Sequence, residues 1–104
     1  MASTYLSRTP SSSGSRTTWT WSAWIKLSAF SGATFYLENA GSSGTNDTGL
    51  SIEASSRLEL FNRISGSVNA KKTTSRKLRD TAWYHIVAVW DTTNATADDR
   101  LRLY

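Results

Sequence analysis

Apolar and polar side chains alternate along much of this chain with a period of two, which is typical of β-strands. In residues 16–29 one side of the alternation is apolar, and the other carries Thr, Ser and Lys together with Trp24. Residues 82–90 alternate as well, and both of their faces are apolar. We expect these two Trp-bearing strands to face each other as layers of stacked sheets. The apolar side of the first stretch comprises Trp19, Trp21, Ala23, Ile25 and Leu27.

Shorter alternating segments predict the remaining strands, and the Gly, Ser, Asn and Asp residues between them favour turns. No stretch shows a convincing helical period, so we predict an all-β fold, an antiparallel β-sandwich of the jelly-roll type. The length favours a single domain spanning residues 1–104. Residues 39–47 are expected to form a loop and residues 71–80 a basic link. The shorter predicted strands are 4–8, 33–38, 49–54, 57–62 and 100–104, with a hairpin joining 49–54 to 57–62 and a weaker strand within 63–70.

Composition narrows the functional classes. The 104 residues include no cysteine, which excludes disulfides and thiolate metal sites. No apolar run approaches the roughly eighteen residues of a membrane helix, and no secretory signal is visible, so no membrane partner is expected. The net charge of +4 favours binding to an acidic polysaccharide, nucleic acid or phospholipid surface. It is equally typical of an ordinary soluble domain.

Several segments resemble strands of the concanavalin A-like lectin/glucanase superfamily, in particular its laminin G and pentraxin-like domains. Residues 18–26 resemble the "T-x-S-x-W-v-k" strand, residues 82–91 the "W-y-H-v-v-v-x-w/y-D" strand, and residues 100–104 the start of the "l-r-L-Y-v-N-G" hairpin. The run Y-L-S-R-T-P-S-S at residues 5–12 is similar to domains of tailed-phage and marine viral proteins. The resemblance implies a concanavalin A-like sandwich and leaves the ligand open.

Members of that family continue past the "L-Y-v-N-G" turn, whereas this sequence stops at Tyr104. The resemblance therefore implies that the chain holds the N-terminal part of such a domain and lacks its C-terminal strands. An incomplete sandwich leaves a sheet edge unpaired and apolar surface uncovered. We accordingly expect self-association, or pairing with a partner chain, through the exposed edge.

The chain lacks a recognisable catalytic constellation. Glucanases of the superfamily use an "E-x-D-x-x-E" strand, because hydrolysis needs two carboxyl groups at a fixed separation. Here Glu38, Glu53 and Glu59 are isolated on three predicted strands, and only Glu38 and Glu53 remain as a pair that could meet. His85 has no partner at motif spacing, so we expect a core histidine hydrogen-bonded to a neighbouring strand. We predict no catalytic residue and no enzyme activity.

Calcium is an alternative that the resemblance raises, because many laminin G and pentraxin-type domains bind Ca²⁺ on loops at the sandwich rim. Hard oxygen ligands are available in predicted loops, but Asp and Asn are also common turn residues. None of them matches a family ligand position, so we predict no cofactor and no metal ligand while calcium stays open. These residues are Asn46, Asp47, Asp91, Asp98 and Asp99.

Aromatic side chains offer a second kind of site, because the apolar face of a pyranose ring stacks on Trp or Tyr. Trp24 stands on the mixed face of its strand, and Tyr84 and Trp90 share one face of theirs. We therefore predict Trp24, Tyr84 and Trp90 as carbohydrate-binding residues. The alternative is that further strands or a partner bury these large side chains.

Five of the twelve Lys and Arg residues lie between positions 71 and 79. Such a run fits a phosphate- or sulfate-binding patch, a solvated loop, or an edge strand protected by lysine. No aromatic residues interleave with these charges, so nucleic acid is not expected as a partner.

These observations predict a non-catalytic binding or assembly module of a phage virion or cell-surface protein that contacts glycans. The alternative is a purely structural or decoration subunit that oligomerises through strand pairing and has no small ligand. Either function would place the chain on a virion or an extracellular surface. Fold resemblance cannot choose between them, because one scaffold hosts many functions.

Overall fold

The computed structural model describes residues 4–42 and 45–104. Strands dominate this part of the chain, and none of the described residues forms a helix long and apolar enough to cross a membrane. Within these ranges one 3₁₀ turn, Ala97–Asp99, precedes the last strand. The strands are β1 (Thr18–Lys26), β2 (Phe35–Ser42), β3 (Asn46–Ile52), β4 (Leu58–Ile64), β5 (Ser67–Thr73), β6 (Trp83–Asp91) and β7 (Leu101–Leu103).

The described strands form two antiparallel sheets. One sheet has three strands in the order β1-β6-β7, and the other has four in the order β2-β3-β4-β5. Their apolar faces pack against each other, which confirms the predicted all-β sandwich. The hairpin predicted from residues 49–54 and 57–62 is confirmed as β3 and β4, and Ser56 adopts a positive φ of 64° in its turn.

The two Trp-bearing strands are neighbours within one sheet, so the expectation that they face each other across the sandwich is wrong. β1 pairs with β6 along its whole length, with Trp19 opposite Trp90 and Trp24 opposite His85. The rings of Trp19 and Trp90 stack with centroids 5.7 Å apart. The two strands alternate in phase, so their apolar sides combine into one layer, and β3 and β4 supply the opposite layer.

The core lies between the sheets. Leu and Ile side chains of β3 and β4 meet Ile86, Ala88 and Trp90 of β6, and all of them are buried. Full burial of one such aliphatic or aromatic side chain contributes about 1.5–3 kcal/mol, so this cluster is the main source of stability. The four-stranded sheet contributes four buried side chains to this core: Leu50, Ile52, Leu58 and Leu60.

Three local predictions fail. Residues 4–8 form no strand: they are exposed, and no described strand pairs with them. Much of the predicted loop 39–47 belongs to β2 and β3, and Gly41 with φ of 117° allows a close approach to the backbone of Asn46 that a Cβ would prevent. Positions 43 and 44 of that loop lie outside the described residues. The basic link is also shorter than predicted, because β5 extends to Thr73.

Candidate binding face

The outward side of the three-stranded sheet carries a group of exposed aromatic side chains. Trp24 of β1 is 66% exposed and Trp83 of β6 is 62% exposed. Because Trp24 pairs with His85, and Lys26 pairs with Trp83, these side chains stand on the same side of two adjacent strands. We call this surface the tryptophan face and define it by Ser22, Trp24, Lys26, Trp83, His85 and Tyr104.

Tyr104 joins the tryptophan face through β-type pairing. Its backbone N–H donates to the carbonyl of Val87, and its carbonyl accepts from the N–H of Val87, each at 2.9 Å. Val87 pairs on its other side with Ser22 of β1. The phenol of Tyr104, which is 67% exposed, therefore stands on the outward side in line with Ser22.

His85 connects the aromatic and polar parts of the tryptophan face. Its imidazole stacks on Trp24 with centroids 5.0 Å apart and an interplanar angle of 28°. Its Nε2 lies 3.0 Å from Oγ of Ser22, within hydrogen-bonding distance. The predicted hydrogen bond to a neighbouring strand is thus confirmed, but the predicted core position is wrong because His85 is exposed on the outer face. The stack and the hydrogen bond hold the Trp24 indole beside a polar group that can itself donate or accept.

The structure does not bring the three predicted carbohydrate-binding residues together. Trp90 is 7% exposed and lies in the core against Trp19. Tyr84 also faces inward, is half-buried, and donates from Oη to Oδ1 of Asp80 at 2.6 Å. This hydrogen bond lowers the pKa of Asp80. The three side chains therefore form no joint platform, because Trp24 shares the outward side of the sheet with His85, whereas Tyr84 and Trp90 lie on the inward side of β6.

Trp83 is the residue that the sequence-based choice left out. The alternation in residues 82–90 already places Trp83 and His85 on the side opposite Tyr84 and Trp90. Both sides of this strand are apolar, however, so alternation alone does not tell which one faces water. The strand pairing with β1 decides the question, because Trp24 and Lys26 share a face with His85 and Trp83.

Comparison with known proteins identifies the family. A laminin G family model, described as the concanavalin A-like lectin/glucanases superfamily, matches residues 2–104. The chain belongs to this superfamily. Membership confirms the resemblance of the strand motifs and indicates a binding module in general. No curated protein and no solved structure matches the chain.

The superfamily includes glucanases, so the glutamates are relevant. Glu38 lines a groove of about 640 Å³ between β1 and β2, together with Trp19 and Trp21. Glu53 and Glu59 instead line a hollow on the outer face of the four-stranded sheet. Glu38 and Glu53 therefore do not meet, and the pairing left open by the sequence is wrong.

The carboxylates of Glu53 and Glu59 already have partners. Glu59 forms an ion pair with Lys71 at 2.9 Å, and Glu53 accepts a hydrogen bond from Oγ of Ser55 at 2.8 Å. Both carboxylates are therefore engaged in contacts within the fold.

Calcium ligands of the laminin G kind would have to come from the rim. Asp47 lies in β3 rather than in a loop, and its two carboxylate oxygens accept hydrogen bonds from Nε and Nη2 of Arg63, each at 2.8 Å. Asp91 accepts from Oγ1 and N of Thr93, and the hydroxyl contact lowers the pKa of Asp91. Among residues 4–42 and 45–104, no three acidic or His side chains cluster closely enough to hold a metal ion. The calcium alternative stays a prediction.

Proposed function

We propose that this chain is a non-catalytic glycan-contacting module that uses the tryptophan face, within a virion or cell-surface protein. The observation that carries the proposal is the pair of exposed indoles, Trp24 and Trp83, on the same side of two hydrogen-bonded strands. Large exposed aromatic groups of this kind mark ligand or partner surfaces rather than ordinary solvent-facing sheet.

Chemistry supports sugars as the ligand class. A pyranose ring presents C–H groups on one face and hydroxyls around its rim, so it needs an aromatic plane with polar groups beside it. The indole of Trp24 supplies the plane, and Ser22, Lys26 and His85 supply donors and acceptors on the same face. The stack of His85 on Trp24 limits the motion of the indole, which lowers the entropy lost on binding.

A glycan array followed by calorimetry tests this proposal. We expect saturable binding of at least one glycan, with Trp24→Ala and Trp83→Ala each weakening it by about tenfold or more, the loss of a stacking contact worth about 1.4 kcal/mol. Tyr5→Ala is the matched control, since Tyr5 is an exposed aromatic residue in the N-terminal segment. Binding that survives both Trp substitutions, or an array without any hit, contradicts the proposal.

A second candidate function is that of a structural subunit that pairs with a second copy through β1. This strand pairs with β6 on one side, and no described strand pairs with its other side. It is nine residues long, contains Lys26 as its single charge and has no proline, whereas protected edges are short or rich in lysine. We expect Thr20→Lys, which adds a charge to the exposed side of β1, to shift any dimer toward monomer in light scattering. A wild-type chain that stays monomeric at high micromolar concentration contradicts this second function.

A further inference from the structure

A strongly basic pocket of about 530 Å³ lies on a part of the sandwich distinct from the tryptophan face. It forms where the segment after β5 crosses the turn between β3 and β4. Two backbone hydrogen bonds fix that crossing, from N of Leu78 to O of Ser56 at 2.8 Å and from N of Thr74 to O of Leu58 at 3.0 Å. The lining residues are Arg57, Ser75, Arg76, Lys77, Arg79 and Tyr84.

The charges of this pocket are of one sign. Four of the six lining side chains are cationic and none is a carboxylate. The two ion pairs found among the described residues, Asp47 with Arg63 and Glu59 with Lys71, lie elsewhere. Convergent like charges destabilise the folded state, and an anion placed between them offsets that cost.

Arg57 supplies a second and independent observation. Its Nε is buried and has no hydrogen-bond partner within the described part of the chain. A buried donor without a partner is costly, and a guanidinium is shaped to donate two parallel hydrogen bonds to the oxygens of one anion. Arg57 comes from the β3–β4 turn, whereas Arg76, Lys77 and Arg79 come from the later segment, so the fold brings donors to this pocket from two directions.

One of the two neutral members of the pocket, Ser75, fits the same ligand. Ser75 offers a hydroxyl donor for a further anion oxygen. The hydroxyl of Tyr84 donates to Asp80, and the N–H of Ala82 donates to the same carboxylate oxygen. Asp80 lies near the pocket but is not among its lining residues, and its carboxylate already accepts these two hydrogen bonds.

We propose that this pocket binds a tetrahedral oxyanion, the sulfate or phosphate group of a monoester. Several convergent donors around a space larger than the anion itself suit a terminal ester group carried by a larger molecule. The residues of the pocket do not overlap with the tryptophan face, so this proposal stands or falls separately from glycan stacking.

Isothermal titration calorimetry at pH 7.5 and low ionic strength tests the proposal with five probes: inorganic sulfate, inorganic phosphate, galactose 6-sulfate, galactose 6-phosphate and galactose. We expect one saturable site for the anions and for both esters, and a markedly weaker response to galactose. The tighter of the two esters identifies the source of the anion, and either preference supports the proposal.

Charge-removing variants assign the site. Arg57→Gln and Arg79→Gln are expected to weaken ester binding by about tenfold each, the usual scale for one charge-assisted hydrogen bond. Arg57→Lys keeps the charge but loses the Nε donor, so we expect it to bind less tightly than the wild-type protein. Arg8→Gln, in the exposed N-terminal segment, removes the same charge elsewhere and is expected to leave binding unchanged.

Folding is checked for each variant by circular dichroism. If Arg57→Gln does not fold, the double variant Arg76→Gln with Lys77→Gln decides, because both side chains are exposed. The double variant Trp24→Ala with Trp83→Ala is expected to retain ester binding even if glycan stacking is lost. No saturable binding of either ester, or equal losses in the pocket variants and in Arg8→Gln, overturns the proposal.

Discussion

Glu38 points from β2 into the groove between β1 and β2, where burial raises the pKa of its carboxyl group. Its Oε2 is buried and accepts no hydrogen bond from the described residues. Because the pKa is higher in the folded than in the unfolded state, the folded state holds this proton more tightly. The protonated carboxyl group therefore contributes stability that is fully present at a pH below its ordinary pKa of 4.5. This contribution is lost as the pH rises through the pKa of the folded state.

Glu38→Gln removes this pH dependence, since glutamine has the shape of the carboxylic acid and cannot ionise. We expect the variant to melt at a higher temperature than the wild-type protein at pH 7 and at nearly the same temperature at pH 4. Thermal unfolding followed by circular dichroism at both pH values measures the difference. Asp98→Asn in the exposed 3₁₀ turn serves as the control. An equal shift of the melting temperature at both pH values contradicts the assignment to ionisation.

Two ion pairs on the same sheet predict very different costs when the cation is removed. Asp47 has a fully buried side chain that receives two hydrogen bonds from Arg63, and Arg63 also lies 4.8 Å from the centroid of the Phe61 ring. Lys71 is about half exposed beside Glu59. Arg63→Gln removes the charged partner of a buried carboxylate, so we expect it to lower the free energy of unfolding clearly more than Lys71→Gln, whose side chain is about half exposed. Urea unfolding of both variants measures the free energies of unfolding. Equal losses would contradict the prediction that burial of the carboxylate determines the cost.

At the scale of the element, the alternation of inward and outward side chains in β1 predicts how much each substitution lowers the free energy of unfolding. Trp21 faces inward opposite Ala88 and packs against the core, whereas Trp24 faces outward. We expect Trp21→Ala to lower the free energy of unfolding by about 3 kcal/mol and Trp24→Ala by less than about 1 kcal/mol. Chemical denaturation measures both values. Similar losses would mean that the indole of Trp24 has a structural role, and this would weaken its assignment to ligand binding.

The strands could be predicted where the polar side of the alternation is unambiguous. In β1, Thr and Ser at every second position identified the outer face correctly. β6 was located correctly, but its two apolar faces allowed Trp90 to be chosen as a surface residue although it is buried. The segment 39–47 was misjudged because its Gly, Asn and Asp residues favour turns, while pairing of β2 with β3 and the contact of Asp47 with Arg63 hold most of it in strands. The pairing of β2 with β3 is a local hairpin, with Gly41 opposite Asp47, but the contact of Asp47 with Arg63 joins residues 16 positions apart, which the turn-forming composition of 39–47 does not contain.

At the scale of the whole molecule, both candidate sites depend on which strands become neighbours. The tryptophan face forms because β6 pairs with β1 across more than half of the sequence. The basic pocket forms because the segment after β5 returns to the β3–β4 turn and brings Arg79 near Arg57. The sequence contains the basic run and the aromatic residues of both sites. Which of them come together depends on which strands are neighbours, and this is determined by the topology of the fold.

The distribution of tryptophan allows the coupling of the two sheets to be measured. All five tryptophans lie in β1 and β6, so the indole fluorescence originates from the three-stranded sheet. Leu60 is fully buried in β4 of the other sheet, where it belongs to the core shared with Ile86. Leu60→Ala is expected to cost about 2–5 kcal/mol, because the cavity removes contacts from both layers.

If that core is a single cooperative unit, Leu60→Ala must shift the urea midpoint of tryptophan fluorescence as far as the midpoint of far-ultraviolet circular dichroism, which reports on both sheets. Ile86→Ala, which opens the core from β6, should likewise give coincident transitions. Ile64→Ala is the control, because this side chain of β4 is exposed and its truncation removes few contacts. A fluorescence midpoint that Leu60→Ala leaves in place would mean that the sheets unfold independently. In that case the stability of the tryptophan face would come from the pairing of β1 with β6 rather than from the sandwich.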